Sequence, residues 1–535
     1  MKLRSNVSPS DPAFAERRAA MLALVERVRD IEARIAAHGE KARPKFESRG
    51  QIPPRERVDR LLDPGRPFLE LSTLAGYKMH DDNGRDAVAG GGNICGIGYV
   101  AGVRCMVVAN DSAIKGGTIS PMGLAKSLRA QRIAFENRLP TISLVESGGA
   151  NLMYQSELFV EGGRIFANMA RASAAGLPQI TVVHGSSTAG GAYLPGLSDY
   201  VIMVRGRAKV FLAGPPLVKA ALGEDADEEA LGGAEMHATV TGTAEYLAED
   251  DAHGIALART LVDRLDLPRA SAPRTAPPPA YDPDELCGVV PPDPKVPYDV
   301  REVIARIVDA SEFLEFKGRF GTNIVCGHAS IEGQPCGLVA NNGPIEPTDS
   351  VKAAHFIQAC CQADLPIVYL QNTTGYMVGT AAERAGAVKH GSKMIQAVAN
   401  ATVPQITLVI GGGYGAGYYG MCGRSFDPRF IFAWPNARVA VMGGAQAAMV
   451  MKIITRAKFA KRGQHLDDAA LDKMSAALEE RLDRESDATF ATARLWDDGI
   501  VDPRHSRRIL GFCLATCRDA ANVSLHPNTF GVARM

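Results

Sequence analysis

The sequence predicts an α/β protein made of two related halves. Three observations predict this fold class: short β-branched runs alternate with helix-like segments, one proline-rich segment divides the chain, and similar segments recur in the same order on both sides of it. Strands alternating with helices are typical of α/β domains. A chain of 535 residues that is 46% hydrophobic and 22% charged is long and apolar enough for about two to four domains.

The first predicted element is an amphipathic helix over residues 20–37, because apolar residues recur there at helical spacing and Gly39 predicts an end. From about Phe68 onward the pattern changes to short strands. The clearest runs are 106–109, 141–145 and 179–183. Each is rich in β-branched residues, and helix-like segments separate them.

A linker is predicted over residues 268–297, which hold ten of the 32 prolines. Such a stretch is too rich in proline for a packed element. It divides the chain into an N-terminal domain, 1–267, and a C-terminal domain, 298–535.

Three pairs of segments indicate that the two domains are duplicates. The pairs are 102–111 with 333–342, 139–144 with 365–370, and 178–183 with 404–409. The first pair is 231 positions apart and the other two are 226 apart, so the order is kept with a five-residue gap. Convergence of similar strands is the alternative, but three ordered matches favour a repeat.

A glycine-rich turn follows the last repeated strand in each half, at 185–193 and at 411–419. Glycine lets a ligand approach the backbone, and N–H groups at a following helix start favour negative charge. The turns therefore predict oxyanion-binding sites. Phosphate binding and purely architectural turns are the alternatives; residues 415–420 fit G-x-G-x-x-G, but no acidic residue follows about 20 positions later to bind a ribose.

A second pair of loops, 146–150 and 371–376, follows the preceding strands at matching places in the repeat. Loops at strand ends commonly bind ligands, so these either line the two pockets or serve only as turns.

The evidence for catalytic side chains is weaker than the evidence for the glycine-rich turns. Glu146 is a general base by residue type alone, His184 lacks an orienting acid in the sequence, and Lys452 lies in a predicted helix rather than on a biotin-bearing hairpin.

Composition excludes several classes of protein. The net charge of +0 disfavours nucleic-acid binding. The ten cysteines contain no C-x-x-C pattern, which disfavours a zinc site and suits free thiols in a reducing compartment. The first 21 residues lack a signal-peptide pattern, and the longest apolar stretch, 439–451, is too short for a membrane span. We therefore expect a cytoplasmic protein without a metal.

Several longer motifs carry a family resemblance. They are residues 54–65 (PRERVDRLLDPG), 188–193 (TAGGAY), 211–216 (FLAGPP), 231–234 (LGGA), 434–438 (WPNAR) and 441–444 (VMGG). From about residue 41 to the end the chain resembles the carboxyltransferase (β) subunit of biotin-dependent acyl-CoA carboxylases, in the 3-methylcrotonyl-CoA and geranyl-CoA branch. This resemblance implies two tandem crotonase-like (ClpP/crotonase ββα-superhelix) domains.

The resemblance also implies roles for particular residues. Gly190 and Gly191 would donate N–H groups to the thioester carbonyl of an acyl-CoA, and Ala416 and Gly417 would do so for the ureido oxygen of carboxybiotin. Substrate-binding positions implied around the two sites are Gly148, Gly149, Ala167, Ala192, Thr374 and Gly375.

By the same resemblance, biotin is carried on a partner, the α subunit that contains biotin carboxylase and the biotin carrier. The β subunits would form a homo-oligomer, a hexamer within an α6β6 complex. Ser187 and Ala167 stand where methylcrotonyl-specific members tend to carry Cys and a bulky aromatic, so a longer acyl chain such as geranyl is expected. The competing hypotheses are a crotonase-type acyl-CoA hydratase or decarboxylase, and a non-catalytic scaffold subunit.

Overall fold

The computed structural model describes residues 1–80, 88–293, 296–462, 467–529 and 531–532. The chain forms two compact units, which we call the N-unit and the C-unit. The N-unit comprises Asp30–Ala272, Ala493–Leu495 and Ala515–Met535, and the C-unit comprises Met1–Arg29, Pro273–Thr492 and Trp496–Leu514. The units are discontinuous in sequence, whereas the domains suggested by the linker are continuous. The domain boundaries 1–267 and 298–535 stay a prediction.

Within the described residues, the N-unit contains an eight-stranded sheet. Its strands are β1 (Leu69–Glu70), β2 (Asn93–Val100), β3 (Val103–Asn110), β4 (Thr141–Ser147), β5 (Gln179–Thr188), β6 (Tyr200–Val204), β7 (Lys209–Phe211) and β8 (Tyr246–Ala248). They are ordered β1-β2-β3-β4-β5-β6-β8, and β7 also pairs with β5. Strands β2 and β3 form an antiparallel hairpin, and β3 to β6 are parallel. The carboxyl ends of β4 and β5 therefore lie at the same edge.

The C-unit repeats this arrangement in a sheet of seven described strands. These are β9 (Leu314–Phe316), β10 (Ile324–Ile331), β11 (Gln334–Asn341), β12 (Ile367–Thr373), β13 (Gln405–Tyr414), β14 (Phe430–Ala433) and β15 (Arg438–Ala440). The order β9-β10-β11-β12-β13-β14, with β15 on β13, matches β1 to β7 strand for strand. The duplication predicted from sequence is confirmed, and so are the three predicted strands, which lie in β3, β4 and β5.

Helices connect and cover the strands. They are α1 (Pro12–Glu40), α2 (Arg43–Ser48), α3 (Pro54–Leu61), α4 (Pro121–Glu136), α5 (Gln155–Ala174), α6 (Tyr193–Gly196), α7 (Pro215–Leu222), α8 (Glu228–Gly232), α9 (Ala234–Met236), α10 (Asp251–Arg264), α11 (Leu286–Val289), α12 (Arg301–Ile307), α13 (Pro347–Gln362), α14 (Thr380–Arg384), α15 (Ala387–Ala399), α16 (Gly415–Gly420), α17 (Gly444–Lys461), α18 (Asp468–Ser486), α19 (Ala488–Ala493) and α20 (Ser506–Asn522). Short 3-10 turns include Lys115–Gly117, Leu152–Tyr154 and Ala189–Ala192. The remaining short turns are Pro283–Glu285, Asp309–Ser311, Arg424–Phe426, Pro503–His505 and the π-helical His237–Thr241.

The five-residue gap in the repeat lies between β3 and α4. Strand β3 ends 231 positions before β11 ends, whereas α4 begins 226 positions before α13 begins. The additional residues of the N-unit include the 3-10 turn Lys115–Gly117. This longer connection reaches the end of β4, because a Cβ added to Gly117 would lie 2.1 Å from the Glu146 carbonyl oxygen.

Three sequence expectations need correction. The predicted helix 20–37 exists but extends over Pro12–Glu40, and Gly39 lies inside it. The segment 268–297, of which 294 and 295 lie outside the described residues, contains a packed helix, α11, because Leu286, Cys287 and Val289 are apolar enough to be buried despite the surrounding prolines. The glycine turns begin later than predicted, since β5 continues to Thr188 and β13 to Tyr414 through their pairing with β7 and β15.

Candidate active site

The two glycine loops occupy the same place in the two units, at the carboxyl end of the strand they follow. In the N-unit, β5 runs into the 3-10 turn Ala189–Ala192, in which Gly190 is exposed and Gly191 is buried. In the C-unit, β13 runs into α16, in which Ala416 is exposed and Gly417 is buried. The first N–H groups of a helix have no acceptor within it, so each loop presents main-chain donors.

A residue in the left-handed region makes each of these turns. Ala189 has a φ of +52° and Gly415, 226 positions later, has a φ of +54°. This conformation is uncommon for alanine, which has a Cβ, and ordinary for glycine. Strained residues of this kind persist where the surrounding structure fixes them, as at ligand-binding turns.

Close packing fixes the second glycine of each loop. A Cβ on Gly191 would lie 3.2 Å from the Ser147 Oγ, and a Cβ on Gly417 would lie 2.8 Å from the Gly375 Cα. Both contacts are with the end of the preceding parallel strand or the loop after it. A side chain at Gly191 would require Ser147 to shift, and a side chain at Gly417 would require the backbone at Gly375 to shift.

The loops after β4 and β12 also share their internal hydrogen bonds. The Gly149 N–H donates to the Ser147 Oγ at 3.2 Å, and the Gly375 N–H donates to the Thr373 Oγ1 at 3.1 Å. Gly149 has a φ of +79° and Gly375 has a φ of +120°. The two glycines thus have backbone conformations that favour glycine, and each lies beside the residue that precedes its glycine turn: Gly149 near Thr188, and Gly375 near Tyr414.

The structure brings most of the predicted site residues together in two groups. The first group contains Gly148, Gly149, Gly190, Gly191 and Ala192, and the second contains Thr374, Gly375, Ala416 and Gly417. Ala167 is half-buried on α5, next to Phe166, whose ring would lie 3.8 Å from a Cβ on Gly190. The catalytic and binding roles of these residues stay predictions.

A buried network of charged side chains beside the N-unit loop was not predicted. The Arg57 guanidinium contacts the Glu146 carboxylate at 2.8 Å and the Asp251 carboxylate at 3.4 Å. The other Asp251 oxygen lies 2.9 Å from the Nδ1 of His184. Arg57, Asp251 and His184 are at most 1% exposed, so the network joins α3, α10 and the ends of β4 and β5 inside the N-unit.

The electrostatics of this network are those of a structural support. Burial, and next the charge of Arg57, lower the pKa of His184, so its ring is neutral. Burial raises the pKa of Asp251, but hydrogen bonding to His184 and the charge of Arg57 outweigh this effect, so the pKa is lowered overall. The Nε2 of His184 has no hydrogen-bond partner among the described residues. The Glu146 carboxylate is ion-paired with Arg57 through one of its two oxygens.

Sequence reasoning missed this network because its members are far apart in the chain. Arg57 and Glu146 are 89 positions apart, and His184 and Asp251 are 67 apart. The sequence feature that could have pointed to the network is the motif 54–65, which contains Arg57.

Beside Glu146 lies a polar cavity of about 220 Å³, which Lys45, Arg49 and Ser186 also line. Lys45 and Arg49 place positive charge in the wall of this cavity.

The comparisons with known proteins identify the family. The carboxyl transferase domain matches residues 45–530. The chain belongs to this family. It is 50% identical over 536 residues to a probable biotin-dependent acyl-coenzyme A carboxylase beta2 subunit of Mycobacterium tuberculosis (strain ATCC 25618 / H37Rv), with 100% of both chains covered. It is 46% identical over 529 residues to the biotin-dependent 3-methylcrotonyl-coenzyme A carboxylase beta1 subunit of the same organism, with 98% of both covered.

A solved structure agrees with this assignment. The crystal structure of the P. aeruginosa geranyl-CoA carboxylase (GCC) beta subunit matches with a TM-score of 0.93 and 58% identity, and 100% of each chain is covered. This likeness over the whole carboxyl transferase chain confirms the predicted family and its two crotonase-like domains. Among the described residues, every helix is too short or too polar to cross a membrane.

Proposed function

We propose that this carboxyl transferase is the carboxyltransferase subunit of a biotin-dependent acyl-CoA carboxylase. Its substrate would be a branched α,β-unsaturated acyl-CoA, geranyl-CoA or 3-methylcrotonyl-CoA, which receives CO₂ from carboxybiotin. The observation that carries this proposal is the duplicated pair of main-chain donor loops, one in each unit. A reaction with two oxyanions, one on each reactant, gives each loop a task.

The N-unit loop would bind the thioester. The N–H groups of Gly190 and Gly191 donate to the carbonyl oxygen, which becomes an enolate oxygen when the acyl group loses its γ-proton. Removal of one such donor typically costs about 2.7 to 4 kcal/mol of transition-state stabilisation. The ion pair with Arg57 engages the Glu146 carboxylate, which disfavours a hydratase that would use Glu146 as its base.

The C-unit loop would hold the ureido oxygen of carboxybiotin through the N–H groups of Ala416 and Gly417. The residues fit this group: Ala416 is exposed, and a Cβ on Gly375 would find only the Tyr414 carbonyl oxygen, at 3.6 Å, so the backbone is open to a ligand. When bound, carboxybiotin supplies the carboxyl group and a nitrogen that can accept the substrate proton. The chain's own contribution is to orient both reactants and exclude water.

The proposal includes partners. Biotin would arrive on an α subunit that holds biotin carboxylase and the biotin carrier, and the β chains would form a hexamer within an α6β6 complex. The thioester site of one β subunit would face the biotin site of another, in the cytoplasm. The names of the relatives, which include biotin-dependent carboxylase β subunits, support this assignment.

The test is direct. The purified chain is mixed with carboxybiotin-loaded carrier and a panel of acyl-CoAs, and incorporation of labelled CO₂ into each thioester is measured. We expect carboxylation of geranyl-CoA or 3-methylcrotonyl-CoA and none of the saturated straight-chain thioesters. Carboxylation of no thioester, in the presence of competent carrier, would contradict the proposed function.

A further inference from the structure

Two amide side chains lie fully buried at the carboxyl ends of neighbouring strands in the C-unit. Asn341 is the last residue of β11, Gln371 lies near the end of β12, and both are 0% exposed. The residues before them, Ala340 and Leu370, are register partners in this parallel pair of strands. Side chains at one register position of neighbouring strands project to the same face of a sheet, so the two amides lie side by side.

Within the part of the chain that the structure describes, neither amide has a hydrogen-bond partner. This holds for the Nδ2 and Oδ1 of Asn341 and for the Nε2 and Oε1 of Gln371. Most buried polar side-chain atoms in proteins are paired, because an unpaired buried polar atom lowers stability. A fully buried pair of this kind therefore indicates a ligand that bonds to both amides.

The chemistry of the four atoms selects this ligand. In each amide the nitrogen donates hydrogen bonds and the oxygen accepts them. A metal cation would satisfy only the two oxygens, and an anion would satisfy only the two nitrogens. Water both donates and accepts, and a buried water typically makes about three hydrogen bonds to polar groups that are otherwise unpaired. Ordered water is therefore the ligand that fits the pair.

The duplicated fold provides an internal control. The residues equivalent to Asn341 and Gln371 are Asn110, 231 positions earlier, and Val145, 226 positions earlier. Val145 is apolar and 2% exposed, and the Oδ1 of Asn110 accepts a hydrogen bond from the Glu146 N–H at 3.4 Å. The N-unit thus builds the same strand ends without a second amide, so the fold does not require one at Gln371.

The register of the strands supports this conclusion. In the C-unit, the pairing of β12 with β13 shifts between Gln371 and Thr373. In the N-unit, the pairing of β4 with β5 shifts at the equivalent place, between Val145 and Ser147. The irregular strand end that leads to each donor loop therefore forms with either side chain.

The Gln371 amide lies against the strand that carries the C-unit donor loop. A Cβ on Gly413 would lie 3.2 Å from the Gln371 Nε2 and 3.0 Å from the Cδ2 of Tyr418. Gly413 belongs to β13, and Tyr418 follows the proposed donor Gly417 in α16. The amide and the tyrosine ring thus pack on the same side of Gly413, and the amide pair reaches the loop through this contact.

We propose that Asn341 and Gln371 form a buried water-binding site that positions the C-unit donor loop. Water that bridges the two amides would fix the end of β13, from which Ala416 and Gly417 follow. Water-mediated hydrogen bonds are nearly as favourable as direct ones. A displacement of about 1 Å in a catalytic site can lower the rate by about 100-fold, so this support matters for turnover. The positioning role rests on the proposed function, whereas the binding of water does not.

The first test locates the water. A crystal structure of the chain is determined at a resolution that shows ordered water. We expect at least one water molecule within about 3.2 Å of a polar atom of each amide. If Asn341 and Gln371 bond directly to each other or to the backbone, with no water bound to both, the inference is overturned.

The second test removes both amides. In the double variant Asn341→Leu/Gln371→Met, carbon atoms take the place of the amides and of the water between them. The variant is assembled with its α subunit, and kcat, the KM for acyl-CoA and the thermal unfolding midpoint are measured. Gln358→Met, at an exposed position of α13, is the matched control for the change from glutamine to methionine.

We expect kcat of the double variant to fall by about 10-fold or more. The KM for acyl-CoA should stay unchanged, because the thioester is proposed to bind in the N-unit. The unfolding midpoint should stay unchanged or rise, because the variant buries no polar group without a partner. The control should match the wild type in all three measurements.

Three results would contradict this inference. A lower midpoint together with the loss of activity would show that the amides only stabilise the fold, and an unchanged kcat would overturn the positioning role. If the double variant fails to fold, Gln371→Val, which carries the N-unit residue, decides by the same criteria. A wild-type enzyme that carboxylates no acyl-CoA would overturn the proposed function and the positioning role, while the crystal structure still decides the water site.

Discussion

The N-unit and the C-unit present main-chain donors in the same geometry but support them differently. In the N-unit, Glu146 is held by Arg57 in a buried ionic network. In the C-unit, the corresponding residue is Asn372, whose Oδ1 accepts a hydrogen bond from the Gly412 N–H at 2.9 Å. The backbone conformation of the loop is common to both units, and the side chains that support it differ between them.

The largest expected effect comes from filling the buried glycine of either loop. Gly191→Val and Gly417→Val each force the donors out of position, because the added carbons meet Ser147 or the Gly375 backbone. We expect each variant to lose about 100-fold or more in turnover. The two variants should differ in their binding of acyl-CoA, measured by calorimetry. Gly191→Val should weaken acyl-CoA binding, and Gly417→Val should leave it unchanged.

Assembly is the control for both glycine variants. Size-exclusion chromatography should show the oligomeric state of the wild-type chain. Loss of the oligomer in Gly191→Val would show that the loop is architectural rather than catalytic.

The second prediction concerns the ionic support that distinguishes the N-unit. Arg57→Ala leaves Glu146 and Asp251 without their cation, and breaking a buried pair in this way costs about 3 to 5 kcal/mol. We expect the free energy of unfolding, from urea denaturation, to fall by this amount. The matched control is Arg55→Ala, which removes a partly exposed pair with Glu70 and should cost under about 1 kcal/mol. Equal effects of the two substitutions would contradict the account.

The third prediction exchanges the residues that make the two turns. Ala189→Gly should stabilise the chain by about 1 kcal/mol, because glycine adopts a positive φ without the penalty that alanine bears. Gly415→Ala should destabilise it by at least as much, since a Cβ there would also lie 3.2 Å from the Val441 carbonyl oxygen. Thermal unfolding midpoints measure both changes. Shifts of the same sign in both variants would contradict the equivalence of the turns.

The fourth prediction compares two buried carboxyl groups, one in each unit. The N-unit's Asp251 has a lowered pKa, whereas burial raises the pKa of Asp497 in the C-unit to about 7. A carboxyl group whose pKa is raised in the folded state stabilises it below the ordinary pKa, and this contribution is lost as the pH rises through the folded value. The thermal unfolding midpoint should therefore decrease as the pH rises from about 4 to about 7. Asp497→Asn should make this decrease smaller. If the variant shows the same pH dependence of the midpoint as the wild type, the raised pKa of Asp497 is contradicted.

Much of the fold was predictable because its signals are local. Strand patterns, the ordered repeat and the glycine loops lie in short stretches of sequence, and the structure confirms the strands and the duplication. The Arg57 network was not predictable, because it depends on pairing across 67 positions (His184 with Asp251) to 194 positions (Arg57 with Asp251). The start of the glycine turns was also missed: pairing with β7 and β15 extends the strands, and that pairing is tertiary information.

The most direct test of the central claim, that two donor loops on different subunits complete one reaction, uses mixed oligomers. Gly191→Val and Gly417→Val chains with different tags are co-expressed with the α subunit, and oligomers that contain both are purified on both tags. If the loops work across subunits, the mixed oligomers should recover about a quarter of wild-type carboxylation, although each variant alone is inactive. Mixed oligomers as inactive as their parents would contradict the claim.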